Sequence, residues 1–188
     1  MSKEILNNSF QNRIINFIKT KKKNLIVLSV LLIFTLFGYF FYEDLKKKNE
    51  IQISAQFTKA SIQFKLNEIN YAKQLLLDIV NKKHKFYSPL ALYFIIDNNL
   101  EKDPKKVITF FDKVLSINSI DKENLNLIKI KKAIFLFSIE DEELIINTLN
   151  PIINSNSVWR KLAIKLISDY FFFKNQEIKA KEYIQLLN

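Results

Sequence analysis

Hydrophobic and polar positions follow two different patterns along this chain. Across residues 25–42 they do not alternate at all: no residue is charged, and only Ser29, Thr35 and Gly38 interrupt the large apolar side chains. At about 1.5 Å per residue, a helix of that length reaches roughly 27 Å, close to the hydrocarbon thickness of a bilayer. A core helix or buried strand can be as apolar but is seldom as long. The stretch therefore predicts a membrane span built on Leu25, Ile26, Val27, Leu28, Leu31, Leu32, Ile33, Phe34, Leu36, Phe37, Tyr39, Phe40, Phe41 and Tyr42.

From Ile53 onward, apolar residues recur every three or four positions almost to the end, the period of helices that bury one face. The pattern predicts eight helices in four pairs, at 53–66 and 71–80, 89–100 and 104–116, 125–137 and 141–149, and 158–173 and 176–187. Ser88-Pro89 and Asp103-Pro104 each place a capping side chain before a proline at the first helical position. Ser138 with Asp141 fits a capping box, and the acidic run Glu140 to Glu143 suits a helix N-terminus, which also explains it without a metal. Asn150-Pro151 is expected to end or kink the sixth helix.

The second helices share a register. Ala72 and Ala180 lie three steps of 36 residues apart, and the intermediate steps fall on Ile108 and Leu144. Twelve residues before the two alanines stand Ala60 and Ser168, also small, so that paired helices can approach closely. A period near 34 with this spacing points to tetratricopeptide-type helix pairs. Two departures accompany it. Ile96 and Lys132 occupy the small position in the middle pairs, and Gln56 and Ile164 stand where a large aromatic is expected. A generic helical bundle is the alternative. The domain reading is a basic arm at 1–24, the span at 25–42, a linker or helix extension at 43–52 and a helical repeat domain at 53–188.

Composition fits an all-α fold: the 188 residues include one Gly and three Pro, too few for a turn-dense β architecture. The absence of Cys excludes disulfides, thiolate metal sites and cysteine nucleophiles. The formal charge of +10 raises the question of nucleic acid, but its distribution argues against it. The arm before the span holds Lys3, Arg13, Lys19, Lys21, Lys22 and Lys23 against Glu4, whereas the rest of the excess is dispersed among acidic residues. In the arm, Ile5, Leu6, Phe10, Ile14, Phe17 and Ile18 recur at helical spacing, which suits either a helix on a membrane surface or a polar tail. Arg13, Lys19, Lys21, Lys22 and Lys23 are the expected topology determinants. They keep the N-terminus cytoplasmic and send the large C-terminal domain across the membrane. Bulky aromatics from Tyr39 to Tyr42 occupy the place where a signal peptidase needs small residues, so the span is expected to remain as an anchor.

Catalytic chemistry finds little support. The one histidine, His84, stands among Asn81, Lys82, Lys83 and Lys85 and is expected to be a solvated loop residue. A single glycine rules out a glycine-rich phosphate loop. Asp97, Asp103, Asp112 and Asp169 are scattered at expected cap or surface positions, and Lys179 and Lys181 are expected on a solvated face. The sequence therefore predicts no enzyme, no cofactor, no metal site and no nucleic-acid partner. Phe110-Phe111 and Tyr170 to Phe173 exceed what one helix face buries; most are expected in the core between repeats, with a remainder exposed as a partner surface.

The layout as a whole resembles the ancillary SecYEG translocon subunit family (YfgM-like), single-span inner-membrane proteins with a tetratricopeptide-like domain, in an alphaproteobacterial form. Three segments carry the resemblance: the arm and span with FTKASIQFKLNEINYAKQLLLDIV (57–80), LNLIKIKKAIFLF (125–137) and VWRKLAIKLISDYFFFKNQEIKAKEYIQLL (158–187). Within the third, Trp159, Ala163 and Ala180 fit the family's last helical hairpin. The resemblance implies association with the SecYEG translocon and with periplasmic chaperones or exported clients, and it transfers no catalytic residue. The expected function is that of a membrane-anchored protein-interaction adaptor in protein export. The alternative is a repeat scaffold for another envelope process, such as envelope assembly or division.

Overall fold

A computed structural model of the chain describes the backbone of residues 2–187 and, within that range, the side chains of residues 20–23, 27 and 30–187. The protein is all-helical, with no strand among the described residues: α1 (Ser2–Lys65), α2 (Ile69–Asn81), α3 (Tyr87–Asp97), α4 (Pro104–Leu115), α5 (Lys122–Ser138), α6 (Glu142–Ile153), α7 (Arg160–Phe173) and α8 (Glu177–Gln185). It divides into two units, Met1–Gln52 and Ile53–Asn188.

The first unit holds the larger part of α1. Its apolar side chains from Val30 to Tyr42 are exposed, Thr35 returns its hydroxyl to the Leu32 carbonyl at 2.8 Å, and Asp44 pairs with Lys48 one turn on. The side chains of Leu25, Ile26, Leu28, Arg13 and Lys19 lie outside the described ones, and Lys21, Lys22 and Lys23 are exposed. Among the described residues, no helix is long and apolar enough to cross a membrane.

In the second unit the helices form four hairpins: the end of α1 with α2, then α3 with α4, α5 with α6, and α7 with α8. All four hairpin turns are made the same way. A residue with positive φ follows the first helix: Asn67 (64°), Asn99 (52°), Glu140 (57°) and Asn175 (57°). Its N–H donates to the carbonyl three residues back, and the next N–H donates to the carbonyl five residues back: Glu68 to Gln63, Leu100 to Ile95, Asp141 to Leu136 and Gln176 to Phe171. This is the Schellman arrangement, which satisfies the last carbonyls of a helix and needs a left-handed residue. Glycine is the usual choice there, and this chain uses asparagine at three of the four positions.

Successive first helices touch through aromatic side chains. Phe57 and Phe64 meet Phe94 edge-to-face, linking α1 to α3; Phe137 meets Tyr170, linking α5 to α7. Two core clusters result. One centres on Leu76, Leu92, Ile95 and Phe111, the other on Leu136, Ile145, Ile167 and Tyr170. Helix α5 feeds both, Ile128 into the first and Ile130, Ala133 and Leu136 into the second.

Several local expectations need correction. Asp103 caps α4 as expected from its side chain, accepting from the Lys105 N–H at 2.9 Å, but Ser88 does not cap α3. It lies inside the helix, buried, donating to the Ile79 carbonyl at 2.7 Å and accepting from the His84 N–H. The cap is supplied by His84, whose Nδ1 accepts from the N–H groups of Phe86 and Tyr87, both at 3.2 Å. His84 is thus a half-buried structural residue rather than a solvated one. At the start of α6 the cap is Asp141, accepting from the Leu144 N–H at 3.0 Å; Ser138 is the last residue of α5 and turns back to the Phe135 carbonyl. Pro151 does not end α6, which continues to Ile153. Burying Ile152 and Ile153 outweighs the one helical hydrogen bond that proline cannot make.

Candidate binding groove

The residues singled out for repeat packing differ in burial. Ala60, Ala72, Ala163, Ser168 and Ala180 are fully buried, and Ser168 donates its hydroxyl to the Ala180 carbonyl at 2.9 Å across the last hairpin. Trp159 is half-buried and donates its indole N–H to the Glu123 carbonyl at 3.0 Å, joining the last pair to the third. Ile108 and Leu144 are only partly buried. The fully enclosed residues beside them are Val107 and Ile145, so the buried positions Ala72, Val107, Ile145 and Ala180 advance by 35, 38 and 35 residues instead of a constant 36. The longer middle step includes the α4–α5 connection, where Ile117 and Ile120 enter the first core.

Lys132 occupies a small-residue position and is nevertheless buried. Its ammonium leaves the core to meet the Asp112 carboxylate on α4 at 2.6 Å. Its stem packs while its charge is paired near the surface. Lys179 is exposed, as expected, and from the surface it pairs with Glu142 at 3.2 Å and lies over the Phe171 ring at 5.1 Å. Of the aromatic runs, Phe111, Tyr170 and Phe171 are core, Phe110 is partly buried, and Phe172 and Phe173 are exposed. Among the described residues, no group of three or more acidic or imidazole side chains is arranged to hold a metal ion.

The concave feature that these expectations did not anticipate lies between α3 and α5. Two cavities follow one another along these helices and share Tyr93 as a common wall. One, of about 260 Å³, is lined by Tyr93, Ile96 and Asp97 from α3 and by Lys131, Ile134 and Phe135 from α5, with Phe111 among its lining residues. The other, of about 220 Å³, is lined by Phe86, Pro89 and Leu90 on one side and Asn124 and Leu127 on the other, with Lys85 at its edge. On α3 and the Phe86 that precedes it, the lining positions Phe86, Leu90, Tyr93 and Asp97 are spaced four, three and four apart. On α5 Asn124, Leu127, Lys131, Ile134 and Ser138 are spaced three, four, three and four apart. Each helix thus presents one continuous stripe to the groove.

Where the cavities meet, the Lys131 ammonium lies 4.5 Å from the centre of the Tyr93 ring, a cation–π contact between the helices. Burial, with a smaller contribution from the nearby Asp97 carboxylate, pushes the Tyr93 phenol up to about 12, so it stays protonated at neutral pH. Two large apolar side chains at the groove are exposed: Phe86 at 59% and Ile134 at 54%. The groove offers apolar surface, one neutral phenol and lysines at its edge and centre, with no arranged acid–base pair.

The sequence signal for this groove was present but not specific. Helix α3, YSPLALYFIID, is apolar on more than one face, which a helix with a single buried stripe does not require. No family model, no curated protein and no solved structure matches the chain.

Proposed function

We propose that this protein is a membrane-anchored, non-enzymatic adaptor with a tetratricopeptide-like domain. On this reading it is an ancillary subunit of the protein-export translocon that engages periplasmic chaperones or exported proteins. The single observation that carries the adaptor reading is the apolar groove between α3 and α5, built on stacked hairpins and lacking a catalytic constellation. Stacked helix pairs provide an extended surface suited to polypeptide partners.

The anchor belongs to the same proposal. The uncharged run of residues 25–42, with its exposed aromatic end and the lysines before it, supports a single span with a cytoplasmic N-terminus and a periplasmic domain. Tethering would raise the domain's effective concentration near the export machinery, so that weak groove contacts suffice.

Crosslinking of the full-length protein in native inner membranes tests both parts. The expected result is adducts with translocon subunits, periplasmic chaperones or exported chains, formed through photoreactive groups at Phe86 or Ile134. Adducts confined to a division or envelope-assembly complex would refute the export role. Digestion of the domain in intact spheroplasts by external protease is expected; protection would refute the topology.

A further inference from the structure

Lys85 and Lys131, at the edge of the groove and at its middle, have no carboxylate within ion-pair distance among the described residues. Other lysines nearby are matched: Lys132 by Asp112, and Lys73 by Glu101 at 2.9 Å. The groove's one acidic lining residue is Asp97, at the far end of the first cavity. Its lining is therefore apolar with an excess of positive charge, held next to low-dielectric walls where charge counts for more than in open solvent.

Length limits the occupant. From Phe86 to Asp97 the α3 stripe rises about 17 Å, which an extended chain covers in about five residues. The two cavities share Tyr93 as a wall, and the Lys131 ammonium rests over that ring. An extended segment places alternate side chains on the same side, about 7 Å apart, and so can enter both cavities while a residue between or beside them meets a lysine.

We infer that the groove selects short extended segments carrying two large apolar side chains flanked by acidic residues. A carboxylate on such a segment would draw the Lys131 ammonium off the Tyr93 ring into an ion pair, and the ring would then form a wall for the bound side chain. This rests on the reading of the groove as a polypeptide-binding surface, and it adds a charge preference which that reading does not contain.

The test uses the full chain in nanodiscs and fluorescence anisotropy with three labelled peptides. They share the core Leu-Ser-Phe and are flanked by two glutamates, two glutamines or two lysines on each side. The glutamate peptide is expected to bind about 3- to 10-fold tighter than the glutamine peptide, since each exposed charge pair contributes a few-fold at most. The lysine peptide should bind weakest. The preference should fade when salt is raised from about 0.05 to about 0.5 M. Lys131→Gln and the exposed Lys85→Gln should each reduce it, with far-ultraviolet circular dichroism confirming the fold. Equal binding of all three peptides, a preference for lysine flanks, or no binding would overturn the inference. So would peptide-independent self-association blocked by Ile134→Glu, because a second copy would then fill the groove. Translocon crosslinking with unselective peptide binding would overturn the charge preference and leave the adaptor reading standing.

Discussion

Glu140 is the one left-handed residue among the four hairpin turns that is not an asparagine, with φ of 57°. An L-residue with a Cβ in this region carries about 1–2 kcal/mol of steric strain, less for asparagine and none for glycine. Glu140→Gly removes that strain while adding about 0.4–1 kcal/mol of unfolded-state entropy. The backbone roles survive, since the Tyr170 hydroxyl donates to the Glu140 carbonyl and the two Schellman bonds use main-chain groups only. The Glu140 carboxylate does hold the Lys174 ammonium above its usual range through a 2.7 Å hydrogen bond, but both side chains are substantially exposed and solvent screens the pair. The net expectation is a stabilisation of about 0.5–1 kcal/mol, or roughly 2–4 °C in thermal midpoint for a domain of this size. Glu140→Ala is the control: it loses the same ion pair and keeps the strain. Thermal unfolding followed by circular dichroism should place the glycine variant above both the parent and the alanine variant. A glycine variant no more stable than the alanine variant would refute the claim that strain at this turn is released.

Other substitutions test the corrected caps and the buried charge. Asp141→Ala should cost about 1 kcal/mol in denaturant unfolding and Ser138→Ala close to nothing; equal costs would return the capping role to Ser138. Asp112→Ala removes the exposed partner of the Lys132 ammonium and should destabilise by about 1 kcal/mol at most, whereas Lys132→Met should be neutral or stabilising. The opposite ranking would show that the ion pair itself stabilises the fold. For Tyr93 the folded-state value is raised above the unfolded value of about 10, so its contribution is fully present below pH 10 and is lost as pH rises toward 12. Burial shifts Tyr170 and Tyr183 in the same direction. Tyrosinate absorbance of the native protein should lose a component titrating near pH 12 in Tyr93→Phe; a native Tyr93 that ionises near 10 would contradict its burial against the groove.

The helices were legible because their signals are local. Asp103-Pro104 marks the start of α4 through a cap and a proline that act on the next few residues, and α4 begins at Pro104. The start of α3 was misread because its cap is a histidine ring reaching forward to Phe86 and Tyr87, a role that serine, threonine, aspartate and asparagine usually fill. The expectation that Pro151 ends α6 failed for the opposite reason: the helix runs on to Ile153, and the burial of Ile152 and Ile153 is a tertiary effect that overrides a local one. The hairpin turns offered no glycine to mark them, and Asn67, Asn99 and Asn175 are ordinary residues until their left-handed backbone is seen. The groove was least legible, because Tyr93 and Lys131 meet only once two hairpins have stacked.

One departure from the repeat pattern, the large residues at the small position of the middle pairs, falls in the two hairpins that form the candidate groove. In the first and last pairs the corresponding positions are Ala60 with Ala72 and Ser168 with Ala180, all fully buried, and Ser168 bonds directly to the Ala180 carbonyl. In the middle pairs the equivalent first-helix positions hold Ile96, which lines the larger cavity, and Lys132, which sends its charge outward to Asp112 beside Lys131 at the groove. Bulk at these positions works against the close helix approach that small residues permit, and the register between Val107 and Ile145 lengthens across the same region. A chain selected only for stacking would gain from small residues at all four crossings, as it does at the outer two. Retaining Ile96 and Lys132 where the groove opens is what a binding surface would require of the two middle hairpins, and it is where local packing rules are expected to give way to function.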